Sequence, residues 1–236
     1  KNGFVYTNLA DNTVEILKYT GTESNVQYRI RLTISRKTLG AESFTENETV
    51  VGVTIPAQVT NLQYGAFASC TNLKKVTFAQ GSQLKKIKEE TFEHCQKLEE
   101  IHIPDSVTQI EKGAFYYCRS LSKLTLGKKL EVIDNNAFEG CSSLKQIEIP
   151  DSVESIGEGA FTYCTSLEHV TIGNKLAYVA KSAFSWCNLT EITWGDGIAK
   201  IGDSAFACNQ KLTTVSIPDT VTELEYKAFA GMCRVK

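Results

Sequence analysis

Leu98-Glu-Glu-Ile101-His-Ile103-Pro104-Asp-Ser-Val107-Thr-Gln-Ile110-Glu-Lys-Gly-Ala114-Phe115-Tyr-Tyr-Cys118 decides the fold, because the chain writes nearly the same stretch again before and after it. Aligned on its phenylalanine, the stretch generates Phe44, Phe67, Phe92, Phe115, Phe138, Phe161, Phe184, Phe206 and Phe229, separated by 23, 25, 23, 23, 23, 23, 22 and 23 residues. Eight of the nine follow Ala or Thr, and Phe44 follows Ser43. Six residues after Phe stands an apolar residue: Val50, Leu73, Leu98, Leu121, Leu144, Leu167 and Leu212, with Leu189 one place early. Two further columns keep the beat, one through Val53, Val76, Ile101, Leu124, Ile147, Val170, Ile192 and Val215, the other through Ile55, Phe78, Ile103, Leu126, Ile149, Ile172, Trp194 and Ile217. A period this regular identifies repeated units before any local structure is assigned.

A unit of 23 residues cannot bury its own apolar side. Stacked copies can, because each lends its apolar residues to one shared interior, which makes the chain a repeat solenoid. The Ile-x-Ile alternation predicts a short strand with two side chains inward and one outward. The later pair, such as Val107 and Ile110, predicts a second short extended segment on another face. The Gly-x-x-Ala-Phe-x-x-Cys portion is too short for a full helix and is expected to form a helical turn. At a strand-like spacing of about 4.8 Å, eight steps give a rod on the order of 40 Å long. The four prolines, Pro56, Pro104, Pro150 and Pro218, all fall directly after the first strand, where other copies place Gly127, Gly173 or Gly195. Proline lacks a ladder N–H and glycine tolerates unusual dihedrals, so both suit a corner where a strand ends.

Residues 1–32 do not follow the unit. Phe4-Val5-Tyr6 and Thr13-Val14-Glu15-Ile16-Leu17 read as two strands joined through Asp11-Asn12, and a further strand is expected near Tyr28–Ile34. We assign 1–32 as an N-terminal β-hairpin cap, which a solenoid end requires, and 33–236 as the solenoid. After Phe229 only Ala-Gly-Met-Cys-Arg-Val-Lys remains, so the stack is expected to fray there or to continue in a longer protein.

The chain of 236 residues carries a net charge of −2, from 25 basic and 27 acidic residues, with 42% hydrophobic and 22% charged content. That balance leaves no electrostatic footprint for nucleic acid. No apolar stretch approaches the roughly 18 residues of a membrane-spanning helix. The chain does not begin with Met, which is expected of a mature or trimmed form whose export signal has gone.

The unit resembles the bacterial leucine-rich-repeat subclass called Treponema-type or BspA-like, whose pattern is Leu-x-x-Ile-x-Ile-Pro-x-x-Val-x-x-Ile-Gly-x-x-Ala-Phe-x-x-Cys. The match runs over roughly 33–233. It departs at Asn47 and Asn209, which replace the recurring Cys, at Cys208 and Cys233, which are one residue early and late, and at an insertion around Gln80–Gln83. The resemblance implies a right-handed leucine-rich-repeat stack of about eight coils, secreted or carried on a bacterial cell surface. It also implies adhesion to host extracellular-matrix or plasma proteins, or to other microbes, with no catalysis.

Eight cysteines in an exported protein ordinarily suggest disulfides. Here Cys70, Cys95, Cys118, Cys141, Cys164 and Cys187 each stand three residues after Phe, in a column shared with Asn47 and Asn209. A column that accepts Cys or Asn wants a small group able to hydrogen-bond the neighbouring coil's backbone. Ladder neighbours about 4.8 Å apart also point the same way, whereas a disulfide needs converging Cβ atoms, so buried free thiols are expected. No two cysteines are close enough in sequence for metal ligation, and His102 and His169 are outward strand residues three coils apart, so no metal or cofactor is expected. No phosphate loop, nucleophile elbow or zinc motif occurs. Asp105-Ser106, Asp151-Ser152 and Asp219-Thr220 recur after Pro as turn formers rather than catalytic acids.

What remains is surface. The outward strand positions are polar, Thr-rich and mixed in charge. The column two residues after Phe reads His94, Tyr117, Gly140, Tyr163 and Trp186. Aromatic side chains in a row on a rigid scaffold suit partner binding; the alternative is that the rings pack only against the next turn. The sequence thus reads as a non-enzymatic scaffold that holds a protein or a surface glycan, through His94, Tyr117, Tyr163 and Trp186. The alternative function is a structural spacer that displays another domain and has no ligand of its own.

Overall fold

The structure, a computed structural model, describes the backbone of residues 4–8, 14–19 and 28–31 and all of residues 38–232. Two antiparallel strands come first, β1 (Phe4–Asn8) and β2 (Val14–Tyr19). The Asp11-Asn12 turn and Cys233 lie outside the described residues. Each coil but the last then adds one strand to each of two parallel ladders, and the last adds a strand to the second alone. The first ladder is built from β3 (Tyr28–Arg31), β5 (Val50–Ile55), β7 (Lys75–Phe78), β9 (Glu100–His102), β11 (Lys123–Thr125), β13 (Gln146–Glu148), β15 (His169–Thr171) and β17 (Glu191–Thr193). The second takes two-residue strands: β4 (Thr38–Leu39), β6 (Asn61–Leu62), β8 (Lys86–Ile87), β10 (Gln109–Ile110), β12 (Val132–Ile133), β14 (Ser155–Ile156), β16 (Tyr178–Val179), β18 (Lys200–Ile201) and β19 (Glu223–Leu224). The second ladder is continuous from β4 to β19. The first is interrupted between β11 and β13 and ends at β17. The result is a parallel β-solenoid of about eight turns.

Its interior is a column of rings. From Phe44 to Phe229 each phenylalanine stacks on the next, with centroids 5.0–5.4 Å apart and planes within 15°. Phe44 through Phe206 are buried. The spacing follows the separation of neighbouring strands, about 4.8 Å, so one rise per coil satisfies backbone and rings together. Each ring pair adds about 0.5–1.5 kcal/mol beyond the apolar area it hides.

Beside the rings runs the cysteine column, and its thiols are free, as their register implies. Each Sγ donates a hydrogen bond to the carbonyl of the phenylalanine one coil earlier: Cys70 to Phe44 at 3.0 Å, Cys118 to Phe92 at 3.1 Å and Cys187 to Phe161 at 3.2 Å, with Cys95, Cys141 and Cys164 alike. Asn209 performs the same task, its amide Nδ2 donating to Phe184 O at 2.9 Å while Oδ1 accepts from the Leu189 N–H at 3.0 Å. Burial pushes the Cys70 and Cys187 thiols up to about 12 and the four between them well above their ordinary value.

The helical turn expected around Ala-Phe does not form, and no helix occurs among the described residues. Its backbone divides its donors between two coils. The N–H groups of Ala114, Tyr116 and Cys118 close local turns onto Glu111, Gly113 and Phe115, while those of Gly113, Phe115 and Tyr117 reach the carbonyls of Asn135, Ala137 and Glu139 in the next coil at 2.7–3.0 Å. A helix needs consecutive i→i−4 bonds, and every second donor here is already taken. Left-handed residues at Gly113 (φ 61°) and Tyr117 (φ 54°) break the helical sequence of dihedrals as well.

The corner glycines serve a different purpose from the one expected. Gly127 and Gly173 do not have positive φ; a Cβ on either would lie 2.4 Å from the carbonyl oxygen of Pro104 or Pro150 one coil below. The constraint is backbone approach. At the same corner Asp105 and Asp151 accept hydrogen bonds from the N–H of Lys128 (2.8 Å) and Asn174 (2.9 Å), which ties adjacent coils.

Two outcomes follow from this packing. Phe138→Ala leaves a gap between Phe115 and Phe161 and is expected to cost about 3–5 kcal/mol in a denaturant titration; a loss below about 1 kcal/mol would remove the ring column from the core. In the native protein a thiol-alkylating reagent should modify the half-buried Cys208 well before Cys70, Cys95, Cys118, Cys141, Cys164 or Cys187, read by peptide mass mapping.

Candidate functional site

The turn face carries the aromatic column on an unusual backbone. The position two residues after Phe is left-handed in every coil from Glu46 to Gly231, including His94 (φ 54°), Tyr117 (54°), Tyr163 (59°) and Trp186 (55°). Bulky residues seldom occupy this region, at a cost of order 1–3 kcal/mol each, and they persist where their surroundings over-determine them. Here the surroundings are the next coil: the N–H of His94 donates to Tyr116 O (2.8 Å), Tyr117 to Glu139 O (2.7 Å), Tyr163 to Ser185 O (3.1 Å) and Trp186 to Ala207 O (2.9 Å). The rings therefore leave the rod from fixed points.

The column divides into two clusters. His94 lies 5.7 Å from Tyr117, and both contact Tyr116, which stands edge-on to His94 at 5.6 Å and to Tyr117 at 4.6 Å. Arg119 places its guanidinium 5.2 Å from the Tyr117 ring centroid. Tyr117 leans on the following coil, where a Cβ at Gly140 would come within 3.0 Å of its ring carbons. Glycine at 140 thus leaves room for that ring. Beyond it Tyr163 and Trp186 stack on each other at 5.9 Å with planes 28° apart, and they are 43% and 50% exposed. Tyr116 and Arg119 leave no periodic signal in the sequence, because each occurs in one coil only and forms no column.

An acidic group borders the first cluster. Glu93 Oε1 is 3.7 Å from His94 Nε2. Burial, with the charge of neighbouring Glu90, raises the Glu93 carboxyl to about 6. Tyr64 donates its hydroxyl hydrogen to Glu90, and that bond raises the phenol to about 12. Burial also raises Tyr116 and Glu139. On the strand face His102 and His169 are exposed and apart, and His169 Nδ1 faces Glu191 at 3.7 Å. Among the described residues no group of three His, Cys, Asp or Glu side chains converges on a metal position. No helix among the described residues is long and apolar enough to cross a membrane. The turn face thus presents exposed rings on a fixed backbone, and its first cluster carries a titratable carboxylate.

The family described as BspA type Leucine rich repeat region matches this chain over residues 15–145 and 131–236, in six copies. No curated protein matches it in sequence. The chain is similar in structure to a leucine-rich repeat protein from Bacteroides ovatus, with a TM-score of 0.73 and 24% identity, over 100% of this chain and 70% of that one. It is similar to a leucine rich cell surface protein from Faecalibacterium prausnitzii, at 0.53 and 26%, over 100% and 87%. A leucine rich repeat protein from T. pallidum matches at 0.62 and 25%, over 93% and 90%.

Glu93 yields a pH dependence. Its carboxyl is raised on folding, so its stabilising contribution is complete below the ordinary glutamate value of 4.5 and is lost as pH rises through about 6. Glu93→Gln should therefore raise the melting temperature at neutral pH and leave it nearly unchanged in the acid range, as a thermal melt at each pH would show.

Proposed function

The chain belongs to the BspA-type leucine-rich-repeat family, and from that premise we propose that it is a non-catalytic binding scaffold displayed outside a bacterial cell. The observation that carries the reading is the exposed Tyr163–Trp186 stack, set on backbone that the neighbouring coils hold in place. Preorganised rings lose little entropy on contact, and aromatic anchors dominate binding energy where they are fixed and can be desolvated. Tyr117, His94 and Arg119 extend the same face and add a cationic group beside a ring. In this reading the partner is a host extracellular-matrix or plasma protein, or a surface glycan. The β1–β2 hairpin, lying next to β4, closes the amino-terminal end as its lid. Display at the surface is supported by the similar cell surface protein of F. prausnitzii.

Immobilised matrix proteins, plasma proteins and glycans provide the test. The chain should bind at least one of them, and the Tyr117→Ala, Tyr163→Ala, Trp186→Ala triple variant should bind it at least about thirtyfold more weakly, the equivalent of about 2 kcal/mol, with its cooperative melt retained. Equal binding by the folded triple variant would exclude the aromatic face, and no binding to any surface would favour a spacer.

A further inference from the structure

Among the described residues the first ladder ends at β17, and that edge is unpaired. β17 pairs with β15 through Glu191 with His169, Ile192 with Val170 and Thr193 with Thr171. Thr214, Val215 and Ser216 stand 23 residues further on, where the next strand belongs. Yet residues 213–218 form no strand, and among the described residues no backbone hydrogen bond joins them to β17. A cleft of about 400 Å³ lies between, with Glu191, Ile192 and Trp194 on one wall and Thr214, Val215 and Pro218 on the other.

The cleft presents the chemistry of an unfinished sheet. The Glu191 N–H donates to Glu168 O, and the Thr193 C=O accepts from the Ile172 N–H, so both of these residues face β15. Alternation then turns the N–H and C=O of Ile192 away from β15, into the cleft, without a partner among the described residues. The core is uncovered at the same place: Ile192 is half-buried, whereas its equivalents Ile147 and Val170 are 3% and 1% exposed. Trp194 sits edge-on over Phe206 at 5.4 Å, and it too is half-buried. An edge with unpaired backbone groups accepts another extended chain. Acid stands at the rim, since the Glu191 side chain is 70% exposed with only the His169 imidazole, at 3.7 Å, as an ion-pair partner among the described residues.

We propose that this cleft takes an extended strand from a partner protein, bonded to the N–H and C=O of Ile192, with a β-branched side chain seated against Ile192, Trp194 and Val215 and a basic residue beside Glu191. Coil stacking continues beneath, through the Phe184–Phe206 ring pair, so occupation needs no opening of the core column. The site lies on the strand face and does not depend on the aromatic turn face.

The test uses the full chain carrying Trp186→Phe, which leaves Trp194 as the single tryptophan reporter. The probe is the capped peptide Lys-Thr-Val-Thr-Lys. It should shift Trp194 fluorescence saturably and slow hydrogen exchange at the Ile192 amide, which in the free chain should exchange at least about tenfold faster than that of Val170. The same peptide N-methylated at both threonines should give no shift, and Glu191→Lys should weaken binding about tenfold by reversing the rim charge. Adding Tyr117→Ala and Tyr163→Ala should leave the response intact, so failure here and failure of the aromatic face are separable. The proposal is overturned by an absent or non-saturable shift, by an equal response to the N-methylated peptide, or by an Ile192 amide as protected in the free chain as that of Val170.

Discussion

Each coil must deliver its phenylalanine onto the ring of the coil before, about 5 Å away, and the rest of the molecule accommodates that requirement. The distance matches the rise between neighbouring strands, so rings and ladders share one translation. The same translation brings each Cys sulfur to the carbonyl of the preceding Phe. It also presses the corner backbone so closely that Gly127 and Gly173 have no room for a side chain above Pro104 and Pro150. Contacts that look independent in sequence are thus consequences of one rise per coil.

A core repeated so strictly leaves little room for individuality inside, and the differences between coils lie at the periphery. Two kinds stand out. On the turn face, left-handed positions that accept Gly in some coils carry Tyr or Trp in others, and inter-coil hydrogen bonds hold that backbone in place. On the strand face, the first ladder fails to close between β11 and β13 and after β17, and at both places the central side chain, Leu124 or Ile192, is less buried than its equivalents. The second ladder and the ring column pass both interruptions unbroken, so the rod tolerates a loosened edge without losing its axis.

Much of this was legible in the sequence, because periodicity reports burial directly. The Phe column, the two inward positions of each strand and the shared role of Cys and Asn all follow from register, and Asn209 in the structure makes the bonds the column demands. The turn face was less legible. Gly-x-x-Ala-Phe-x-x-Cys suggests a helical turn locally, and only the neighbouring coil, by claiming the N–H of Gly113, Phe115 and Tyr117, forbids it. The aromatic column could be listed but not divided, since the break depends on Tyr117 lying across Gly140. Tyr116 and Arg119 left no periodic mark at all. The open edge of β17 was hidden for the opposite reason: Thr214-Val215-Ser216 keeps the strand pattern, and its lack of pairing appears only in three dimensions.

The most direct measurement of the shared translation is the far-ultraviolet denaturation curve of a chain from which one whole coil, residues 116–138, has been excised. Phe115 would then meet Phe161 as Phe138 now does, with both ladders, the thiol column and the corner contacts in register. The shortened chain should remain a β-rich protein that unfolds in one cooperative step, at somewhat lower denaturant, while a deletion of half that length should abolish the transition. If the in-register deletion is as unfolded as the off-register one, the coils are not interchangeable and the single-rise account is contradicted.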